Sequence, residues 1–327
     1  MAQAADEVQA LAAPAAVPAV SVIVVNHNGL HCLPQMLGSL AGAFQRHSAE
    51  IVVIDNASGD GSREWLRACS GIERLELTHN AGFTGGCNAG AAIARGRVLL
   101  LMNSDTVVVE ALDALVDAAL DPAVGAVGCR LQDSAGRLRP SIGLEHTPLR
   151  LVLSWLGGAQ RVGAPALMRR METDERSHAV ARRGVAWVSG ACLATRRAVW
   201  QAVGGLDDDY FMYVEDVDYA RRVRAAGWRI DYLPSPAVVH LEAGGRLWPG
   251  PLALLRTVRG YHLLLGRSRG LPVARATSAA LALVFALRSL AFGASRSAPL
   301  NGEKASGYAE AAMALWRMAL TGRVAPP

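Results

Sequence analysis

Lysine is all but missing from this chain: 327 residues contain one, Lys304, against 32 arginines. None lies in the first 110 residues. That argues against a nucleotidyltransferase, which would grip a triphosphate with a basic glycine-rich loop. Cysteine is scarce too. Cys32, Cys69, Cys87, Cys129 and Cys192 are odd in number, widely spaced and never in a CxxC pair. This excludes a disulfide framework and a zinc site, leaving reduced thiols. Charged residues make up 19% and hydrophobic ones 51%, the balance of a folded, rather apolar protein and not of a disordered one. The first 18 residues are Ala/Pro-rich, carry Asp6 and Glu7, and lack a basic region followed by an apolar core. They read as a disordered leader and not as a signal peptide.

The net charge of +5 is unevenly spread. Residues 251–327 hold ten arginines and lysines against Glu303 and Glu310, so this tail carries +8 and residues 1–250 carry −3. No basic-aromatic pattern or recognition helix accompanies it, so nucleic acid is not the expected partner. A basic, apolar tail on a slightly acidic body points instead to an anionic membrane surface.

Apolar runs alternate with helical patterns. Ala19–Asn26 (AVSVIVVN), Glu50–Asp55 (EIVVID), Ile72–Thr78, Arg97–Met102 (RVLLLM) and Val124–Gly128 read as strands. His31–Phe44, Ser62–Ala68, Gly85–Arg95 and Val109–Leu120 read as helices between them. Residues 130–183 suggest long loops with a hairpin and short helices, shaping an acceptor cleft. Gly184–Gly190, Trp228–Tyr232 and Ala237–His240 suggest short strands, Arg196–Val203 and Asp218–Ala226 helices, and the tail two more near 252–265 and 271–293. The alternation predicts an α/β fold with a mostly parallel central sheet, flanking helices and a C-terminal helical extension.

Polar clusters follow the strands: Asn26-His27-Asn28, Asp55-Asn56 and Asn103-Ser104-Asp105. Ligands of open α/β sheets bind beyond the carboxyl ends of the strands, so a nucleotide site is expected there. A glycine-rich segment, Gly82-Phe-Thr-Gly85-Gly86-Cys-Asn88-Ala-Gly90, permits close backbone approach, and amides at its helix start would suit phosphate. Further on, Glu215, Asp216 and Asp218 stand within four residues at the start of a helix. Each signal alone also fits a bland role. Acids favour a first helical turn, Asp55 and Asp105 suit caps, and His240 suits a strand end.

Taken in order, HNAGFTGGCNAG, LLLMNSD and GGLDDDYFMYVEDVDYARR with the distant His240 resemble the family 2 glycosyltransferases of GT-A fold, in particular the bacterial rhamnosyltransferase-like subgroup. The resemblance runs from about Val20 to Gly245. It implies a catalytic domain over 19–250, after the 1–18 leader and before the 251–327 tail. Asp55 matches the acid that hydrogen-bonds the donor's pyrimidine, with Asn26 and Asn28 lining base and ribose. Asn80 and Asn88 match the polar part of the glycine-rich segment. Asp105 matches the last acid of the DxD metal motif, whose first position here is Asn103. A single carboxylate still suits Mg²⁺, and His240 as a second ligand suits Mn²⁺. Asp216 matches the catalytic base of an inverting transfer. Glu215 matches a residue positioning the acceptor or Asp216. Trp187, Ser189 and Gly190 match the floor of the acceptor pocket, although a core role fits Trp187 equally. Arg222 suits an ion pair.

The implied partners are a nucleotide-sugar donor, most directly dTDP-L-rhamnose, and a glycan or polyprenyl-diphosphate-linked acceptor. UDP-galactofuranose or another UDP-sugar is the alternative donor, and a decayed binding module or a membrane scaffold are the alternative classes. Retention of Asp105, Glu215, Asp216 and His240 together weighs against decay. The stretch Ala276–Leu287, flanked by Arg275 and Arg288, is short for a span. With Arg259, Arg267, Arg269 and Arg275 nearby, it suits a helix lying on anionic lipid or packing on the catalytic domain. The expected location is cytoplasmic, peripheral on the inner face of the plasma membrane.

Overall fold

The structure is a computed structural model that describes residues 17–156, 165, 168–172, 174–241, 250–294 and 300–324. Of the leader expected over 1–18, residues 1–16 lie outside the described residues. In chain order the elements are β1 (Val20–Asn26), α1 (Leu33–Ser39), β2 (Ala49–Asp55), α2 (Ser62–Ala68), β3 (Glu73–Glu76), α3 (Gly82–Ile93), β4 (Val98–Asn103), β5 (Thr106–Val108), α4 (Asp113–Leu120) and β6 (Val124–Gln132). Then come β7 (Leu138–Arg139), β8 (Ile142–Gly143), α5 (Pro148–Leu156), α6 (Glu175–His178), β9 (Arg182–Arg183), β10 (Trp187–Val188), β11 (Cys192–Arg196) and α7 (Arg197–Val203). The chain ends with α8 (Glu215–Ala225), β12 (Arg229–His240), α9 (Pro251–Arg269), α10 (Leu271–Ala294) and α11 (Asn301–Thr321).

These form two compact units. The first comprises Met1–Gly143, Glu172–Asp208 and Tyr219–Gly244; the second comprises Leu144–Met171, Asp209–Asp218 and Gly245–Pro327. The sequence suggested a division at 250. The contacts instead group 144–171 and 209–218 with the C-terminal helices.

Unit one is built on a sheet of order β3-β2-β1-β4-β11-β6-β12-β5. Six strands run one way, and β11 and β5 run against them. Valine and isoleucine fill β1, every residue of which is buried, because helices cover both faces of a central parallel strand. The outer strand β3 (ERLE) is polar and partly exposed, as an edge strand should be. Glu50 is buried at the start of β2, where it accepts from Ser21 Oγ (2.6 Å) and pairs with Arg95 Nε (2.8 Å). The carboxylate therefore ties β1, β2 and the turn into β4 together.

Sequence periodicity misplaced several elements. Cys192–Arg196 was not anticipated, yet it inserts antiparallel between β4 and β6. Both its faces are covered, so no polar alternation marks it. The strand expected over 184–190 shrinks to Trp187–Val188. The two strands expected at 228–232 and 237–240 are one strand, β12, with a register shift between Leu233 and Ala237. Residues 106–108 form a strand that was not anticipated and pairs with β12, and the helix expected from 109 begins at Asp113. The third tail helix, α11, was also not anticipated.

Unit two packs α5 with α9, α10 and α11 around aromatic contacts. Trp155 meets Phe285 edge-on at 4.9 Å, Phe285 meets Tyr308 at 5.4 Å, and Phe292 stacks on Tyr308 at 5.6 Å. Arg288 Nη1 donates to Trp155 O at 2.6 Å.

The glycine-rich helix α3 explains its own composition. Gly86 and Gly90 lie one turn apart. A Cβ on Gly86 would stand 2.5 Å from Val25 Cγ1, and one on Gly90 2.5 Å from Ile23 Cγ2. The helix thus approaches β1 more closely than any side chain permits. Gly90→Ala should destabilise the protein by about 1–3 kcal/mol through overpacking against a fixed central strand. Urea unfolding of the variant measures this, and an unchanged midpoint would contradict the packing argument.

Candidate active site

The parallel register brings the first polar residues together. Asn26 stands opposite Asp55 where β1 pairs with β2, and Asn103 pairs opposite Val25 where β1 meets β4. Asp55 is 1% exposed. Its Oδ2 accepts from Ser58 N (3.2 Å) and Arg63 Nε (3.0 Å), while its Oδ1 is buried with no hydrogen-bond partner. Asn26 is fully buried. Its Nδ2 donates to Ser58 Oγ (3.2 Å), and its Oδ1 likewise has no partner. Two orphaned acceptors at one sheet edge cost free energy unless a donor reaches them. Gly29 is small by need here, because a Cβ would meet Asn26 Oδ1 at 2.4 Å.

The loops around this edge are fastened by asparagines. Asn28, at φ 55°, accepts from Gly59 N at 2.8 Å. Asn56, which sequence reasoning left without a role, accepts from Ala81 N (2.8 Å) and donates to Gly82 O (2.9 Å). Asn80 Oδ1 takes the Gly82 amide at 2.9 Å. Gly82 begins α3, three residues before the sequence suggested, so the first amide of the helix is already engaged. Asn88 spends its amide elsewhere: it donates to Leu206 O (2.8 Å) and Asp208 Oδ1 (2.6 Å) and accepts from Leu206 N (3.1 Å). It clamps the loop that follows α7.

Asp105 and His240 meet although 135 residues separate them in sequence. The antiparallel pairing of β5 with β12 puts His240 opposite Thr106. His240 Nε2 lies 3.1 Å from Asp105 Oδ1 and 3.4 Å from Asn103 Nδ2. Both members of the carboxylate–imidazole pair are partly open to solvent, at 22% and 18%. No cluster of three or more His, Cys, Asp or Glu suited to a metal occurs among the described residues. Asn103 N also donates to Ala191 O at 3.2 Å, which brings the Ser189–Gly190 turn beside this motif. Ser189 N is held by Ser141 O at 3.0 Å. Trp187 is 6% exposed, and its ring fills the space above Gly143, where a Cβ would meet Trp187 Cε2 at 1.6 Å. Burial leaves Trp187 with no face open for a sugar to stack on.

The acidic motif belongs to unit two. Tyr213 (φ 73°) and Val214 (φ 72°) both adopt left-handed backbone, an uncommon state for a β-branched residue. The turn ends at once in α8, whose first turn carries Glu215, Asp216 and Asp218. The helix begins three residues before the sequence suggested. Gly260 on α9 accommodates the turn, since a Cβ there would lie 2.8 Å from Val214 Cβ. Glu215 is 6% exposed, and its Oε2 has no partner. Burial, reinforced by the Asp216 charge one residue on, pushes the Glu215 carboxyl up to about 8. Glu215 is therefore the protonated member of the pair near neutrality, a neutral donor beside Asp216. Arg222 Nη1 donates to Val203 O at 2.6 Å and packs 5.8 Å over the Tyr219 ring, a structural role.

A family model described as "Glycosyltransferase like family 2" matches residues 18–249. The chain belongs to glycosyltransferase family 2. It is 31% identical over 253 residues, 68% of this chain and 76% of its relative, to the N-acetylglucosaminyl-diphospho-decaprenol L-rhamnosyltransferase of Mycobacterium tuberculosis. It is 26% identical over 236 residues to the O-antigen biosynthesis protein RfbC of Myxococcus xanthus, covering 70% of this chain and 18% of that protein. Among solved structures, the mannosyltransferase PcManGT of Pyrobaculum calidifontis, in complex with GDP-Man and Mn²⁺, superposes with a TM-score of 0.52 at 18% identity, covering 98% of this chain and 94% of that one. GalNAc-T7 with UDP, GalNAc and Mn²⁺ gives 0.56 at 16% identity, covering 95% and 59%. The family 2 enzyme thus has the GT-A fold, a mixed but mostly parallel sheet with a C-terminal helical stretch, and it transfers sugar.

The raised Glu215 pKa has a consequence for stability. A carboxyl that binds its proton more tightly folded than unfolded contributes fully below the unfolded value near 4.3, and that contribution is lost as pH rises towards 8. Glu215→Gln, which cannot ionise, should therefore be more stable than the parent by roughly 1–4 kcal/mol at pH 9 and nearly equal at pH 4. Thermal unfolding across that range tests it. A difference that does not grow with pH would contradict the protonated assignment.

Proposed function

We propose that this family 2 enzyme transfers L-rhamnose from dTDP-L-rhamnose, with inversion, onto a sugar carried by a polyprenyl diphosphate or another cell-envelope glycan. The observation that carries this reading is the intact set Asp55, Asp105, Glu215, Asp216 and His240 in a chain 31% identical to the decaprenol-linked rhamnosyltransferase. The orphaned oxygens of Asp55 and Asn26 support a pyrimidine donor, because the imide N–H of thymine is a donor of the kind they lack. Uracil has the same imide, so UDP-galactofuranose and other UDP-sugars remain the alternative on this site.

A divalent cation fits the residues present. One carboxylate and one imidazole 3.1 Å apart, part open to solvent, leave most coordination positions to diphosphate oxygens and water. Mg²⁺ commonly binds in this way, and the imidazole favours Mn²⁺. Asp105 and His240 would hold it, and it would supply charge neutralisation for the leaving nucleoside diphosphate. With two protein ligands, metal affinity should rise when the nucleotide is bound.

The chain's own residues supply the rest. Asp216 takes the proton of the acceptor hydroxyl as its oxygen bonds to the anomeric carbon. The bond from that carbon to the diphosphate breaks with its electron pair, and the nucleoside diphosphate departs. Protonated Glu215 donates a hydrogen bond without adding a second charge beside the base. Ser189 and Gly190 line the acceptor floor that Trp187 supports. Asn80 and Asn88 hold the donor-side loops.

The location proposed is the cytoplasmic face of the plasma membrane, and three of the four arginines the sequence suggested for it also make contacts within the protein. Arg267 pairs with Asp209, Arg269 pairs with Glu145 at 3.1 Å, and Arg275 donates to Ala319 O and Leu320 O at 2.7 Å each. Exposed apolar side chains include Leu283, Leu287 and Leu290 on α10 and Met313, Trp316 and Leu320 on α11. The α10 helix is 24 residues long and apolar enough to cross a bilayer, but a third of its most apolar window is buried within the protein, which favours lying on the surface over spanning it.

Thermal stabilisation tests the donor. dTDP with Mn²⁺ should raise the melting temperature more than dTDP with EDTA; a response to UDP alone would move the donor, and none from folded protein would end the reading. Asp216→Asn should lower turnover at least about 10³-fold while keeping the dTDP shift. Turnover within a few-fold of the parent would remove Asp216 from the base role. Leu283→Glu with Leu287→Glu and Leu290→Glu should abolish sedimentation with phosphatidylglycerol vesicles and keep the dTDP shift. Undiminished sedimentation would rule this surface out.

A further inference from the structure

Unit two holds a second feature that sugar transfer as described leaves unused. A cleft of about 300 Å³, open mouth included, lies between residues 209–213 and the face of α9 that carries Arg256, Arg259 and Gly260. Arg256 and Arg259 stand three residues apart on one helix, so both guanidiniums reach the same side. The Arg256 guanidinium lies 4.1 Å over the Phe211 ring, with its Nε buried and unpaired. Neither arginine has a carboxylate partner among the described residues. Burial lowers the pKa of both, and for Arg256 the neighbouring Arg259 charge adds to the effect against the opposing influence of Tyr213. Asp209, the acid lining the cleft, is already paired with Arg267. Two partly desolvated like charges without a counter-ion are costly, and an anion with several oxygens relieves both at once.

We propose that this cleft binds the diphosphate of the lipid-linked acceptor, with Arg256 and Arg259 holding its phosphate oxygens. The inference rests on the lipid-linked reading above and adds where the acceptor is gripped. Position along the chain favours the acceptor's diphosphate over the donor's. Tyr213, on the cleft wall, precedes Glu215 by two residues and Asp216 by three, and Asp216 is the acid assigned to the acceptor hydroxyl. In a sugar joined directly to a diphosphate, the hydroxyls are one ring away from the phosphate. The donor's diphosphate would be neutralised by the cation that Asp105 and His240 would hold.

The test uses full-length protein and the double variant Arg256→Gln, Arg259→Gln. Calorimetric titration with farnesyl diphosphate should show binding to the parent and at least about tenfold weaker binding to the variant. Farnesol should not bind the parent through this cleft, and the stabilisation by dTDP with Mn²⁺ should be equal in both proteins. Arg256→Lys with Arg259→Lys should recover part of the affinity, since lysine keeps the charge without the fork. In turnover, KM for a farnesyl-diphosphate-linked N-acetylglucosamine should rise at least about tenfold, with KM for dTDP-rhamnose unchanged. Equal affinity of parent and variant for farnesyl diphosphate would overturn the proposal, and so would parallel loss of the dTDP response. Inorganic pyrophosphate binding as tightly as farnesyl diphosphate would assign the cleft to a free anion and overturn the lipid assignment. If the double variant melts early, Arg259→Gln alone decides, because Arg259 packs on no aromatic ring among the described residues. If no nucleotide sugar supports transfer, the function proposed above fails, while the farnesyl diphosphate titration still decides the cleft.

Discussion

Strand register is the constraint on which the proposed donor side of this enzyme depends. Asn26 pairs opposite Asp55, Val25 opposite Asn103, and His240 opposite Thr106. A slip of one residue in any of these pairings would turn a polar end group into the core and bring an apolar one to the edge. The register is held from the other end of the strands, where buried Glu50 ties Ser21, Gly96 and the exposed Arg95 together. A carboxylate at the opposite end of the strands thus fixes where their polar end groups sit. The orphaned oxygens of Asp55 and Asn26 are tolerated because this framework over-determines their positions.

The parallel strands were legible because buried runs such as VSVIVVN admit no other reading between turn signals, and the polar residues that end them mark the functional edge. The meeting of Asp105 with His240 was legible only through resemblance. It depends on β5, a three-residue strand too short to show a period, and on the bulged β12, which looked like two strands. Glycine spacing was read as room for a ligand. In α3 its first use is packing, since Gly86 and Gly90 face Val25 and Ile23. Likewise Asn88 had the right type and place for a nucleotide contact, but its amide is engaged by the 206–208 loop. Residue type revealed that a polar group was needed at these positions without revealing which partner it served.

The acidic turn shows the same limit in another form. Three carboxylates at a helix start are unremarkable in sequence, and the dipole alone would justify them. What sets them apart is the left-handed pair Tyr213–Val214 before them, the glycine that makes space for it at 260, and the burial that keeps Glu215 protonated. None of these is a local property. Gly260 lies some 45 residues downstream, in a segment that composition alone presented as a separable basic tail. The turn that presents Asp216 is therefore built partly by α9, and a boundary at 250 would cut through its support.

A tail of +8 suggested arginines facing anionic lipid. A guanidinium, however, has a long apolar stem and a planar head that accepts burial on aromatic rings and against carbonyls more readily than an ammonium does. This chain uses that property throughout unit two: Arg288 reaches Trp155 O and lies 5.0 Å over Tyr308, Arg275 binds the last carbonyls of α11, and Arg170 lies 4.6 Å over Trp155. Lysine would have left more of this charge at the surface. The near absence of lysine, at first only a compositional oddity, thus bears on mechanism. It lets the helices that support the acidic turn carry positive charge inward, and at Arg256 and Arg259 that charge lines a cleft without a counter-ion of its own among the described residues. The helices also present apolar side chains outward, the leucines of α10 and the methionine and tryptophan of α11, beside exposed charges such as Arg269, Arg275, Glu310 and Arg317.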